Sequence, residues 1–288
     1  MNTCTIPHRY AIPCVLTMLT ILAAVLAGCS TAPVPPSGPA TQATTPITAQ
    51  TTTPLIVFAA ASLTGASPVL EKAFEDANPG NDVQFHLDGT QMLSQKIQQG
   101  AEADVFLSAS SKYTEELKAK GYLDNATVKK IAGNYIIIIL PAVNPANITT
   151  LADLSRPGLR IAMGTPEVPV GINTRQTIDL LANASLGPAW KDGVFKNVVT
   201  YETTEPGIVT KVNLAEVDAG FVYESSYKAS KPGSLNALEI PAPQNTLQTY
   251  TIGVPNQAKN QDGARKFVSF MASPEGQAVL AEFGFRAP

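Results

Sequence analysis

Leu55-Ile56-Val57-Phe58-Ala59-Ala60-Ala61-Ser62-Leu63-Thr64 opens the part of the chain where strands alternate with helices. Its first residues are apolar without interruption, the pattern of a strand covered on both faces in a parallel sheet. Small residues and two hydroxyls follow, where a strand would hand on to a helix. Working outward, Val69, Leu70, Ala73 and Phe74 recur at helical spacing up to Asn78-Pro79-Gly80, a stop signal. Strand Asp82–Leu87, helix Gln91–Gln98, strand Asp104–Ser108 and helix Lys112–Lys120, closed by Gly121, continue the alternation. After the β-branched run Tyr135–Leu140 the plan resumes with strand Arg160–Gly164, helix Ile172–Ala182, strand Val198–Tyr201, helix Pro206–Leu214 and strand Ala219–Tyr223. Strand Thr249–Val254, helix Gly263–Met271 and a tail close the chain. This order predicts an α/β fold of two lobes, each a mixed sheet flanked by helices, with a ligand cleft between them. The crossings are expected near Tyr135–Leu140 and Thr249–Val254, giving lobe I residues 55–138 and 251–288 and lobe II residues 139–250.

The segment before Leu55 reads differently. Residues 1–29 hold one positive charge, Arg9, and an apolar run from Val15 to Ala27, shorter than the roughly 20 residues a membrane span needs. The run ends in Leu26-Ala27-Gly28-Cys29, which resembles the lipobox of exported lipoproteins; that resemblance implies cleavage before Cys29 and lipid on its sulfur. Residues 30–54 form a linker, and Ser30 to Thr53 contains five prolines, eight threonines and no charge. Such a composition buries too little apolar surface to offset its ordering entropy, so a disordered tether is expected. At roughly 3.3 Å per residue it reaches at most about 80 Å.

Composition narrows the function. The 288 residues are 44% hydrophobic and 15% charged, enough apolar material for a sizeable core. Past Arg9, 19 basic and 23 acidic groups leave a net of −4, which excludes a generic nucleic-acid binder. Cys4, Cys14 and Cys29 all precede residue 30, so the folded part has neither disulfide nor thiolate metal site. His86 is its one imidazole, against a His-based zinc site or a Ser-His-Asp centre, and no Gly-rich nucleotide loop is present. Neither an enzyme nor a resident cofactor is expected. An amino-acid carrier would pair an Arg with an acid in its cleft; Arg160 and Arg175 are read as lacking such partners.

Ser62, Thr90, Val170 and Glu205 each follow a predicted strand beside a helix start, and Tyr223 ends one. Helix N-termini carry unpaired N–H groups and about half a positive charge, so they bind anions without Lys or Arg. Taken singly, a Ser or Thr here also reads as an N-cap, and Glu205-Pro206 as an ordinary helix start. Their shared position after strands is what gathers them toward one cleft.

Val57–Thr64, Ala103–Ala109, Gly164–Ile172, Ala219–Tyr223, Ser273–Gln277 and Phe283-Gly284-Phe285 resemble, in order, segments of the ModA family of molybdate-binding proteins of ABC importers. The resemblance implies a two-lobed protein, like the type II periplasmic binding proteins, that acts as a monomer outside the cytoplasm. It closes on a molybdate or tungstate dianion and delivers it to a permease and its ATPase, with Cys29 anchoring it to the lipid bilayer. Position by position, Ser62 and Thr90 would donate by hydroxyl and amide, Val170 by its amide, and Tyr223 by its hydroxyl. Glu205 takes the place of a further amide. Some archaeal relatives use a carboxylate there to complete an octahedral shell, together with an aspartate in the earlier loop. Val168-Pro169-Val170 holds no such acid. An unpaired carboxylate aimed at a dianion repels it, so Glu205 is expected to turn to solvent with its amide inward, direct ligation being the alternative. A carrier for sulfate or another tetrahedral oxyanion, and a non-catalytic envelope lipoprotein, are the competing readings.

Overall fold

The computed structural model describes residues 53–288. The targeting segment, Cys29 and nearly all of the linker lie outside the described residues. Two five-stranded sheets organise the rest. The first has the order β2-β1-β3-β10-β4, from β1 (Leu55–Ala60), β2 (Val83–Asp88), β3 (Val105–Ser108), β4 (Lys129–Asn134) and β10 (Gln248–Gly253). The second has the order β7-β6-β8-β5-β9, from β5 (Ile136–Pro141), β6 (Ile161–Gly164), β7 (Val198–Glu202), β8 (Ala219–Tyr223) and β9 (Leu235–Leu238). Each is mixed in the same way. β2, β1 and β3 run parallel, with β10 antiparallel to β3 and β4. β7, β6 and β8 run parallel, with β5 antiparallel to β8 and β9. This is the periplasmic binding protein architecture of two mixed sheets flanked by helices.

The apolar opening strand is covered on both sides. Leu55, Val57 and Ala59 join the main core, while Phe58 belongs to a second cluster with Leu93, Ile97, Phe106 and Leu117. The first cluster lies under α1 (Ser67–Ala77), α8 (Gln261–Met271) and α9 (Pro274–Glu282); the second under α2 (Thr90–Gln98) and α3 (Ser111–Ala119). Phe74 of α1 packs edge-on against Phe267 at 5.1 Å and Phe270 at 5.5 Å, ring centre to ring centre. Each such buried ring contributes roughly 1.5–3 kcal/mol. In the second lobe α4 (Pro169–Leu181) and α6 (Glu205–Asn213) pack on the parallel strands, and α5 (Gly187–Lys196) rests on the turn at Leu151–Ser155. The short α7 (Glu224–Lys228) follows β8 directly. Among the described residues no helix is long and apolar enough to cross a membrane.

The chain passes from the first sheet to the second between Asn134 and Ile136 and returns between Leu238 and Gln248. Ile136–Ile138 therefore belong to the second sheet and Gln248–Tyr250 to the first, opposite to the expected borders at 138/139 and 250/251. Five named strands and helices lie where the sequence suggested none: β4, β9, α5, α7 and α9. Trp190 is buried in α5 with its indole N–H donating to Leu151 O at 2.8 Å. Arg160, read as having no acidic partner at a strand end, pairs with Asp218 at 2.9 Å. That pair precedes β6 and β8, at the strand starts and away from the cleft. Asp104 is structural: its carboxylate accepts the Ile56 N–H at 2.9 Å and the Asn260 N–H at 2.8 Å.

Candidate functional site

All six parallel strands end toward one small cavity. After β1 comes a single turn of 3-10 helix, Ala61–Leu63, bearing Ser62; after β2, Gly89 and Thr90 at the start of α2; after β3, Ala109. From the other sheet, β6 leads to Val168, Pro169 and Val170 at the start of α4, β7 to Thr204 and Glu205 at the start of α6, and β8 ends in Tyr223. These residues enclose about 20 Å³. A single buried water needs roughly 10–15 Å³ by the same measure, so the closed site is scaled to a very small guest.

The five residues singled out from the sequence therefore sit together, and the geometry adds detail that spacing could not give. Thr90 is the first residue of α2 and does not cap it; its hydroxyl instead accepts the Ala109 N–H at 3.1 Å, fixing the β3 turn against α2. Ser62 Oγ shares a hydrogen bond of 2.7 Å with Tyr250 Oη of β10. Tyr223 is 1% exposed, and its hydroxyl has no partner among the described residues. Asn173 lies beside it, yet its own Oδ1 is unpartnered too. A buried hydroxyl left open costs about 1–3 kcal/mol, which makes Tyr223 a donor in want of an acceptor. Val170 is buried and reaches the cavity at the first turn of α4, where helical N–H groups have no intrahelical acceptor. Close approach there depends on Gly171: a Cβ would fall 2.0 Å from Thr165 O and 2.6 Å from Gly164 O.

Glu205 corrects the sequence reading. Its side chain turns inward, not to solvent: the residue is 3% exposed, and its Oε1 accepts the Tyr223 N–H at 2.5 Å. Burial pushes its carboxyl up to about 7, while the Tyr223 N–H and the Ser226 hydroxyl pull the other way. A position at a helix start favours a carboxylate by about 0.3–1 kcal/mol, too little to overcome burial without a cation. Burial likewise raises the hydroxyls of Tyr223 and Tyr250, keeping both neutral. No Lys, Arg or His lines the cavity. Among the described residues no cluster of His, Cys, Asp or Glu is arranged to hold a metal cation. What the site offers is a shell of hydroxyls and backbone N–H groups, suited to an anion whose charge it neither neutralises nor needs to attract from afar.

Tyr250 and Ser226 were missed from the sequence. Tyr250 fell in a strand read as a crossing, where a tyrosine signals packing, and Ser226 acts only through Glu205. Two further side chains bridge the lobes, beside a separate pocket of about 530 Å³. Gln91 Nε2 donates to Thr203 O at 3.1 Å and Tyr113 Oη donates to Glu167 O at 2.5 Å. A larger groove of about 830 Å³ lies elsewhere, along β5 and β9 beside Tyr227, Lys228 and Arg286, and receives none of the six strand-end turns.

Comparison with known proteins agrees with this arrangement. Residues 55–286 match the family model described as bacterial extracellular solute-binding protein. Over 234 residues, 81% of this chain and 85% of the other, the sequence is 32% identical to the molybdate-binding protein ModA of Mycobacterium tuberculosis (strain ATCC 25618 / H37Rv). It is 27% identical, over 81% of this chain and 86% of the other, to the putative ABC transporter substrate-binding lipoprotein YvgL of Bacillus subtilis (strain 168). The periplasmic molybdate-binding protein of Azotobacter vinelandii superposes with a TM-score of 0.70 at 21% identity, covering 81% of this chain and 99% of that one.

Proposed function

Because the chain belongs to the ModA family of bacterial extracellular solute-binding proteins, we propose that its cleft captures a molybdate or tungstate dianion for uptake. The loaded protein then docks on the permease of an ABC importer, whose ATPase drives transport. Lipid on Cys29 holds it at the outer face of the membrane, and residues 30–54 let the body range from that anchor. It is a carrier that works as a monomer, without catalysis and without a resident cofactor.

One observation carries this reading: turns after all six parallel strands converge on a cavity of about 20 Å³ with hydroxyl and amide donors and no cation. Fixed neutral dipoles in a dry site stabilise a fully ionised oxyanion. In this reading Ser62, Thr90, Val170 and Tyr223 are donors, and Glu205 contributes its amide as well as its carboxyl group. Sulfate has the same charge and shape, so size decides between the oxyanions.

Titration calorimetry with molybdate, tungstate, sulfate and phosphate tests it. Molybdate and tungstate are expected to bind one to one and to displace the other two; a preference for sulfate, or no binding at all, overturns the reading. In cells, Cys29→Ala is expected to abolish fatty-acid labelling and release the protein, and retained label refutes the anchor.

A further inference from the structure

We propose that Glu205 serves in the loaded cleft as an un-ionised carboxylic acid, so that capture of the dianion takes up one proton and weakens in alkaline medium. This rests on the function proposed above and concerns the regulation of the same site.

The placement of the side chain carries the argument. Glu205 lines the cavity, is 3% exposed and takes part in none of the ion pairs among the described residues. Around it stand the neutral hydroxyls of Tyr223 on β8, Tyr250 on β10 and Ser226 on α7. The charges on neighbouring elements are engaged elsewhere. Lys211 of α6 pairs with Glu202 of β7 at 3.7 Å and Glu216 at 3.4 Å, and Glu224 of α7 pairs with Arg286 at 2.5 Å. Lys228, the remaining cation of α7, lines the separate groove behind β5. β5 and β6 carry no charged residue. No cation is therefore placed to hold Glu205 ionised when two more negative charges enter the same cavity.

With the lobes together, burial already holds the carboxyl near neutrality, at about 7. A dianion at contact distance moves it further toward the acid form. The proton comes from solvent and ends on the oxygen that Tyr223 N–H does not occupy, adding an O–H donor to the shell; no other bond changes. The sign follows. Well below pH 7 both states carry the proton, and affinity is flat. Above it the empty protein is ionised while the loaded one is not, so affinity falls about tenfold per pH unit.

The decisive experiment is molybdate calorimetry between about pH 6 and pH 9, in pairs of buffers with unlike ionisation enthalpies. Proton uptake is expected to be near zero at the acid end and to approach one per anion at about pH 8.5, with Kd weakening more than about tenfold on the way. Glu205→Gln, which keeps an acceptor for Tyr223 N–H, is expected to bind with a flat profile and no uptake. A flat profile without uptake in the unmodified protein, or a slope that survives in Glu205→Gln, overturns the proposal. Failure of all four oxyanions to bind at any pH instead overturns the functional reading on which it rests.

Discussion

At the scale of single residues, the site depends on polar groups held in the dry interior without a partner. Tyr223 is the sharpest case, because its unpaired hydroxyl burdens the empty protein while equipping it to bind. Tyr223→Phe should therefore divide the two effects. Stability to urea is expected to be unchanged or to rise by up to about 1 kcal/mol, while anion affinity falls by about tenfold to a hundredfold, the worth of one hydrogen bond to a charged acceptor. Equal losses in both measurements would place the hydroxyl in the fold instead. Glu205 gives a second test, on folding. Its folded carboxyl titrates at about 7 against 4.5 for a freely solvated glutamate, so the folded chain binds the proton more tightly. The stability that this lends is complete below pH 4.5 and is lost as pH rises through 7. Glu205→Gln should accordingly match the natural protein near about pH 4 and exceed it by about 3 kcal/mol at about pH 8, as read from chemical unfolding. Sequence placed this residue at a helix start correctly and turned it the wrong way. An acid is favoured there whichever way it points, and what draws it inward, the Tyr223 N–H, lies on another element 18 positions along.

At the scale of elements, legibility tracked burial pattern. β1, β3, β5, β6 and β8 are nearly continuous apolar strands, and each was evident from its own residues. β4 was not: Lys129-Lys130-Ile131-Ala132-Gly133-Asn134 has two exposed lysines and a glycine, and is a strand because β10 pairs with it. α5 and α9 begin Gly187-Pro188 and Pro274-Glu275-Gly276, residues that read as turns until the rest of the fold supplies a surface to pack on. The turn from β6 into α4 was legible as a strand-to-helix turn, but the reason for its glycine was not. A Cβ at Gly171 would strike two carbonyl oxygens, those of Gly164 and Thr165, where the preceding strand ends. Gly171→Ala is expected to push the first turn of α4 away from the cavity, costing about 1–3 kcal/mol in thermal unfolding and weakening anion binding with it. A variant that keeps both values would show that the turn has room to spare.

At the scale of the whole molecule, the two lobes are joined at opposite sides of the cavity. At the back, Asn245 binds both the N–H and the C=O of Ile136, at 3.1 and 2.7 Å, tying the returning segment to the departing one. Asn134 donates to Ser225 at 2.8 Å across the same junction. At the front, Gln91 and Tyr113 reach to carbonyl oxygens of the other lobe without lining the cavity. Those front bonds exist only while the lobes are together. Tyr113→Phe should leave the donor shell intact yet speed anion release by about twofold to tenfold, as measured by stopped-flow displacement, the effect of one neutral hydrogen bond. An unchanged release rate would deny the bond any part in holding the lobes shut.

The strand order of the first sheet also has a consequence for biogenesis. β10, from near the end of the chain, lies between β3 and β4 and completes a lobe that begins at Leu55. The lobe synthesised first cannot assemble its sheet until Gln248–Gly253 has left the ribosome, and α8 and α9, which cover it, come later still. The second sheet, complete within Ile136–Leu238, can therefore close before the first, so the lobe made first is the last to lock.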